Sequence, residues 1–213
     1  IGLGISGIES MPNESIKIIE KADLVYLESF TSPIYVKHEE EIKNLVHGDY
    51  KIAKRWMVED GKEILNATRN SIVVLLSDGD PYIATRHIEL RTRAKLEDIE
   101  TKTIHSASAI TSMIGEIGLQ FYKVGKIVTI MSEKKSVTTP YTTIFKNLIE
   151  GLHSIILLEY NEDQNFFLDP KTAILSLLDI EKEQKRKVVS NDTFAIVTSR
   201  VGMKTQKITS GKL

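Results

Sequence analysis

Residues 71–77, SIVVLLS, form a continuous apolar run rich in β-branched residues, with no polar alternation. A strand that is apolar on both faces has to be covered on both, the situation of parallel sheets flanked by helices. The rest of the chain fits that requirement. A first strand runs into IGLG (1–4), a helix is expected over 13–21, and ADLVYLE (22–28) is a second strand. Helical patterns follow over 33–45 and 58–68, then SIVVLLS, a helix over 87–94 and a short strand at KTIH (102–105). Strands alternating with helices predict a mainly parallel sheet. After about Ser108 the pattern changes register. A helix is expected over 109–117, a strand at KIVTIM (126–131), a helix over 142–151 and a strand at SIILLEY (154–160). DPKTAILSLLDIEKEQ has Asp169 as N-cap and Pro170 in its first turn. TFAIVTSR (193–200) is the last strong strand. The economical reading is an α/β chain of two domains, 1–109 and 110–213. The chain starts inside a strand without an initiator Met and ends at SGKL without a terminal element, so both ends, the second domain's included, read as cut short.

The opening decapeptide, IGLGISGIES, sets a trap. Gly2, Gly4 and Gly7 match the dinucleotide fingerprint G-x-G-x-x-G, and Glu28 ends the next apolar run where a ribose-binding acid would stand. That motif works only when a helix starts inside the glycine turn and points its N-terminus at a pyrophosphate. Here Pro12 and Asn13 follow, and helical periodicity (Ile16, Ile18, Ile19, Ala22) begins only around residues 12–14. The segment reads as a buried strand ending in a tight glycine loop against a ligand, or as a plain strand-to-loop turn, and in neither case as a pyrophosphate cradle.

Composition excludes further classes. The 213 residues include no cysteine, so no disulfide framework, thiolate metal site or thiol nucleophile is available. Twenty-eight basic residues against 29 acidic ones give a net charge of −1, without the basic excess that nucleic-acid binders usually carry. No apolar run approaches the roughly 20 residues of a membrane span. With 41% hydrophobic residues the chain can bury a real core. A soluble, cytoplasmic protein without a nucleic-acid or membrane partner is expected.

Ligands of open parallel sheets bind beyond the carboxyl ends of the strands. Four such ends carry unusual chemistry: Gly2–Gly7; Glu28-Ser-Phe-Thr-Ser32, with a carboxylate and three hydroxyls; Ser77-Asp-Gly-Asp-Pro81; and His105-Ser-Ala-Ser108, small enough to admit a flat ring. Asp, Gly and Pro also mark ordinary turns. Four such ends in one half of the chain favour a site.

The order IGLG, E-x-x-TS, GDP, H-x-ELR-x-RA, IH-x-x-S, GL-x-x-YK-x-GK and GLH resembles the diphthine synthase family. That family falls in the wider class III, tetrapyrrole-methylase-like group of S-adenosylmethionine methyltransferases. GDP alone is a weak signal; His87–Ala94 together with Glu28–Ser32 and Gly118–Lys126 is far more specific. The resemblance covers the whole chain. It implies a two-domain tetrapyrrole-methylase-like fold with a mainly parallel N-terminal sheet, a second α/β domain and a cofactor cleft between them, in a homodimer. It implies S-adenosyl-L-methionine as cofactor, with S-adenosyl-L-homocysteine as product. The substrate it implies is the amino group of 3-amino-3-carboxypropyl-histidine in translation elongation factor 2, methylated toward diphthine. The family's cofactor contacts map onto Ile5, Asp80, Ile83, Ser108, Ala109, Leu158 and Val201. Ala109 and Val201 are small and apolar, suited to offering backbone groups and packing.

The residues agree with such chemistry. S-adenosylmethionine carries its own leaving group, and in-line methyl transfer depends on geometry rather than on a protein nucleophile. The five histidines (His38, His47, His87, His105, His153) show no metal-ligand spacing, and no metal site is expected. His87, with Glu89 and Arg91, reads as structural, whereas His105 adjoins the candidate site. The base for the amine is open between Glu28, Asp78 and a bound water. Lys54 or Arg55, expected on a loop, could meet the substrate carboxylate. Trp56, the only tryptophan, reads as a surface-to-core anchor or as an aromatic wall for a cation. EKEQKRK (181–187) reads as a solvated helix end. A class III methyltransferase acting on a tetrapyrrole or another small molecule is the alternative. A nucleotide-binding or non-catalytic module is the third reading.

Overall fold

The computed structural model describes residues 1–213 apart from the side chain of Lys134. Two compact units divide the chain: Ile1–Ser112 with Gly202–Lys204, and Met113–Val201 with Thr205–Leu213.

In the first unit, β1 (Leu24–Glu28), β2 (Asp49–Ala53) and β3 (Val73–Leu76) form a parallel sheet in the order β2-β1-β3. The central strand is covered on both faces, as a parallel strand should be. Val25 and Leu27 pack with Leu3, Ile19, Ile42, Val74 and Leu76, while Tyr26 packs on the opposite face with Ala53, Met57, Ile64 and Leu90. Burying one such aliphatic side chain contributes about 1.5–3 kcal/mol, so β1 anchors both layers. The helices are α1 (Asn13–Lys21), α2 (Val36–Leu45), α3 (Arg55–Asp60), α4 (Lys62–Ala67) and α5 (His87–Leu96).

Residues 1–4 pair with β3 only through bridges at Gly2–Ser77 and Gly4–Gly79 and form no full strand. The KTIH segment is not a strand, though Ile104 accepts a hydrogen bond from the Gly2 amide (2.9 Å). The helix expected over 58–68 is two helices, broken where Gly61 turns left-handed at φ +69°. β2 carries no sequence signal, because DYKIA alternates exposed and covered residues at a sheet edge.

α6 (Ala109–Glu116) passes from the first unit into the second. There β4 (Val128–Ile130) and β5 (Ile156–Leu158) pair in parallel, with α7 (Thr138–Ile149) between them in the chain. β6 (Tyr160–Asn161) and β7 (Phe166–Phe167) form a short hairpin that leads into α8 (Pro170–Gln184). The Asp169 side chain caps α8 by accepting from the amides of Lys171 and Thr172. The run 181–187 is more than a solvated end: Glu181 accepts from the amides of Lys187, Val188 and Val189 and from the Tyr141 hydroxyl. β8 (Phe194–Ser199) pairs with β9 (Lys207–Lys212). A terminal element therefore exists, contrary to expectation; KITSGK is exposed along its length and lacks an apolar face.

Candidate functional site

Because β1, β2 and β3 run parallel, their carboxyl ends share one edge of the sheet. Beside β3, the Ser77 amide donates to Ile1 (3.1 Å) and the Leu3 amide to Ser77 (2.9 Å). Gly4 and Gly79 then exchange both backbone hydrogen bonds, at 3.1 and 2.9 Å. Both lie at positive φ, +76° and +66°, where a side chain would be strained. The glycine loop, the GDP loop and the 104–108 loop are thereby stitched side by side.

The glycines of the opening motif face protein. A Cβ on Gly2 would overlap the Gly79 carbonyl, one on Gly4 would overlap Ser10, and one on Gly7 would stand 2.7 Å from the His38 ring. On the side a side chain would occupy, the three glycines therefore give close approach of protein to protein. A single 3-10 turn over Gly7–Ser10 intervenes before α1 opens at Asn13, so the helix start is displaced from the glycines as the periodicity predicts.

Asp80 joins the GDP loop to the 105–108 loop and is 5% exposed. Its Oδ1 accepts from the Tyr82 amide (2.9 Å), closing an Asx turn. Its Oδ2 meets His105 Nδ1 at 2.7 Å and the Ser106 amide at 3.4 Å. Tyr82, which the sequence reading passed over, packs its ring edge-on to His105 and shares a 2.7 Å hydrogen bond with Thr103. A loop aromatic two residues after a turn aspartate carries no motif, so only the fold reveals it.

Ser108 is buried and caps α6, accepting from the Ile110 amide (3.3 Å), and leaves Ala109 exposed at the first turn. Ile83 is exposed on the GDP loop. Ile5 abuts Gly202, where a Cβ would overlap it. The first unit therefore gathers Asp80, Ser108 and His105 on stitched loops, with Ile5, Ile83 and Ala109 on the same loops or at their exits. In the second unit Leu158 ends β5, half-buried, and Val201 is buried just after β8. The first unit's set carries one carboxylate, Asp80, and no permanent cation. Its apolar Ile5, Ile83 and Ala109 surfaces suit a flat ring, and its charge suits a sulfonium better than an anionic pyrophosphate.

Glu28, at the end of β1, is fully buried. Its Oε2 accepts from the Phe30 and Thr31 amides at 3.2 and 3.0 Å, which fixes the E-x-x-TS loop. Burial, reinforced by Asp78, overrides those hydrogen bonds and pushes its carboxyl up to about 7. Burial also raises Asp78, against hydrogen bonds from Ser32 and the Gly79 amide and the nearby His38. His87 is buried with Nδ1 on the Pro81 carbonyl (3.1 Å), and burial lowers its pKa, so it is a neutral packing residue. Arg55 opens α3 and lies over the Phe30 ring at 5.0 Å, so it does not sit on a free loop. Trp56 is 63% exposed and anchors nothing in the core. Among the described residues, no cluster of His, Asp and Glu is arranged to hold a metal, and no helix is long and apolar enough to cross a membrane.

The model of the tetrapyrrole (corrin/porphyrin) methylases matches residues 1–213. Diphthine synthase of Methanocaldococcus jannaschii is 31% identical over 217 aligned positions, covering 100% of this chain and 84% of that protein. Diphthine methyl ester synthase of Saccharomyces cerevisiae is 31% identical over 231 positions, covering 100% of this chain and 77% of the yeast protein. A crystal structure of diphthine synthase shares the fold with a TM-score of 0.83 at 24% identity, covering 100% of this chain and 80% of that one.

Proposed function

The chain belongs to the tetrapyrrole (corrin/porphyrin) methylase family, in its diphthine synthase branch, and from that premise we propose that it methylates the amino group of 3-amino-3-carboxypropyl-histidine in translation elongation factor 2, forming diphthine. The chain is a methyltransferase that uses S-adenosylmethionine. The observation that carries the substrate reading is the likeness, over the whole of this chain, to the diphthine synthase of Methanocaldococcus jannaschii and the diphthine methyl ester synthase of Saccharomyces cerevisiae. The same likeness weighs against a tetrapyrrole substrate.

S-adenosylmethionine supplies a methyl group on a sulfonium that leaves as a neutral thioether. The protein's part is binding, orientation and proton handling. Asp80 ties the GDP loop to the 105–108 loop, and its carboxylate favours positive charge nearby. Ile5, Ile83 and Ala109 provide apolar walls, and Ser108 holds the start of α6. The near-neutral net charge suits a protein substrate over a nucleic-acid backbone. The enzyme works in the cytoplasm as a homodimer.

The test is incubation of the protein with S-adenosylmethionine and elongation factor 2 bearing the aminocarboxypropyl histidine, read by intact-mass spectrometry. Mass should rise in successive methyl increments, while unmodified factor, free histidine and tRNA stay unchanged. Equal methylation of the unmodified factor, or efficient methylation of a tetrapyrrole, would sink the substrate reading and leave the methyltransferase class standing.

A further inference from the structure

Two connections of the first unit cross its sheet in opposite directions. From residues 1–4 the chain runs through α1 to β1, on the far side of β3. From β3 it runs through α5 to the 102–105 segment, on the far side of residues 1–4, where the Ile104 carbonyl takes the Gly2 amide (2.9 Å). The two helices cover opposite faces: Ile19 of α1 packs with Val25 and Leu27, whereas Leu90 and Ala94 of α5 pack with Tyr26. Neighbouring strands whose connections part in this way open a crevice at their carboxyl ends, and ligands of such sheets bind there. The crevice here lies between β3 and residues 1–4. The GDP loop leaves from one side of residues 1–4 and the 105–108 loop from the other, and the Asp80–His105 bond joins them.

That bond fixes the chemistry of the ring. Asp80 Oδ1 takes the Tyr82 amide, and Oδ2 takes the Ser106 amide and His105 Nδ1. A carboxylate only accepts, so Nδ1 carries the hydrogen and Nε2 of the neutral imidazole keeps its lone pair. Among the described residues Nε2 has no hydrogen-bond partner, and the side chain is 65% exposed. The ring is also held in place. Tyr82 stands edge-on to it with centroids 5.7 Å apart, and the Tyr82 hydroxyl shares its hydrogen bond with Thr103. Arg91 of α5 lies 5.8 Å from the centre of the Tyr82 ring. The other charged groups nearby are the Ile1 amino group, on which the Asp80 charge acts, and Lys102, which pairs with Glu14. An imidazole with a buried carboxylate on one nitrogen and an open lone pair on the other is built to take up a proton. Glu28, fully buried, presents no oxygen to an incoming amine.

We propose that His105 is the general base of the methyl transfer, accepting the amine proton at Nε2, and that Asp80 is the positioning residue that holds its tautomer and orientation. This rests on the methyltransferase reading above and assigns the base that reading leaves open. Each transfer breaks one S–CH3 bond, whose electron pair stays on sulfur, and forms one N–CH3 bond from the amine lone pair. The amine nitrogen gives up one proton, which goes to His105 Nε2. The imidazolium, facing the Asp80 carboxylate, passes that proton to bulk water through its exposed edge. The ring is then neutral again for the next methyl.

The test compares the full chain with its His105→Ala and His105→Asn variants. An asparagine amide can donate to Asp80 in place of Nδ1 but supplies no base, so His105→Asn keeps the loop tie and removes the proton acceptor. On elongation factor 2 bearing the aminocarboxypropyl histidine, both variants should lose about 100-fold or more in kcat, the usual contribution of a general base, while S-adenosylhomocysteine binds His105→Asn within about twofold of the wild type. His105→Asn should also melt near the wild type. Added free imidazole should restore turnover of His105→Ala in proportion to its concentration and leave the wild type unchanged. Ring-nitrogen NMR of the wild type should show His105 with its hydrogen on Nδ1, and its signals should move when S-adenosylhomocysteine binds. A His105→Asn enzyme of normal kcat, a loss confined to KM, a His105→Ala enzyme that imidazole does not rescue, or a hydrogen on Nε2 would overturn the proposal. A wild-type enzyme that leaves the modified factor unmethylated would count against the substrate reading instead. The ring signals then decide His105: a shift with S-adenosylhomocysteine sustains the assignment, and none overturns it.

Discussion

His105 Nδ1 and Asp80 Oδ2 stand 2.7 Å apart, joining a ring that is 65% exposed to a carboxylate that is 6% exposed. The pair ties the end of the GDP loop to the 105–108 loop and gives His105 a defined orientation at the surface. Because Asp80 also closes the turn at Tyr82, removing it has two consequences that removing His105 does not.

Asp80→Ala should therefore lower both stability and cofactor affinity. Losing a charge-assisted hydrogen bond costs about 1.5–3 kcal/mol. Asp80→Asn retains an oxygen for the Tyr82 amide and should melt closer to the wild type. His105→Ala leaves the Asx turn intact but takes the 2.7 Å bond from a buried carboxylate, so it should cost about 1–3 kcal/mol in stability, less than Asp80→Ala, which also opens the turn. Calorimetry of S-adenosylhomocysteine binding beside urea unfolding separates the three; Asp80→Ala that melts low yet binds normally would make Asp80 a turn residue only.

Cofactor choice can be read without any substrate. S-adenosylhomocysteine at a hundredfold excess over its Kd should stabilise the fold by about 2.7 kcal/mol. NAD and NADP should leave Tm unchanged, since α1 begins six residues beyond Gly7 and cannot cap a pyrophosphate. The opposite preference in a thermal-shift series would restore the dehydrogenase reading.

Glu28 makes stability depend on pH. Its folded-state pKa, about 7, lies above the ordinary value of 4.5. The folded state thus holds a proton that the unfolded state releases, and stability falls as pH rises from about 4.5 through 7. At 1.36 kcal/mol per unit the loss is about 3 kcal/mol above pH 7. Glu28→Gln, whose amide oxygen can still accept from Phe30 and Thr31, should show a smaller stability difference between pH 5 and pH 8 in urea unfolding. An equal difference would mean that Glu28 titrates normally.

Gly2→Ala should be costly although Gly2 is not at positive φ. The added Cβ would meet the Gly79 carbonyl and stand 3.0 Å from Pro81 and Ser106, and backbone cannot rotate away. Overpacking of this kind typically costs about 1–3 kcal/mol. Gly118→Ala, with open space around the Cβ, probes the strain of φ +76° alone. Unfolding midpoints of the two variants separate the two causes.

Trp56→Ala should leave Tm within a degree or two, because an indole that is 63% exposed holds little of the core. If the indole meets the modified histidine, the variant raises KM for elongation factor 2 and leaves S-adenosylhomocysteine binding unchanged. A large fall in Tm would restore the anchor reading.

The α/β class, the central strands and α1 were legible because apolar runs and helical periodicity are local signals. LVYLE and VVLL must be covered on both faces wherever they occur, and Pro12 and Asn13 delay a helix whatever surrounds them. GDP and the strand-end loops could be picked out as candidate site elements because they gather acids, hydroxyls and small residues at strand ends. What the glycines do was not legible. Gly2, Gly4 and Gly7 give close approach to Gly79, Ser10 and His38, partners up to about 77 residues away in the chain. The strands DYKIA and KITSGK escaped notice because edge strands owe their pairing to a neighbour rather than to an apolar face. The charge state of Glu28 was equally out of reach. A glutamate at a strand end is ionised by default, and only the packing of Phe30, Ser77 and Asp78 around it removes the water that would keep it so.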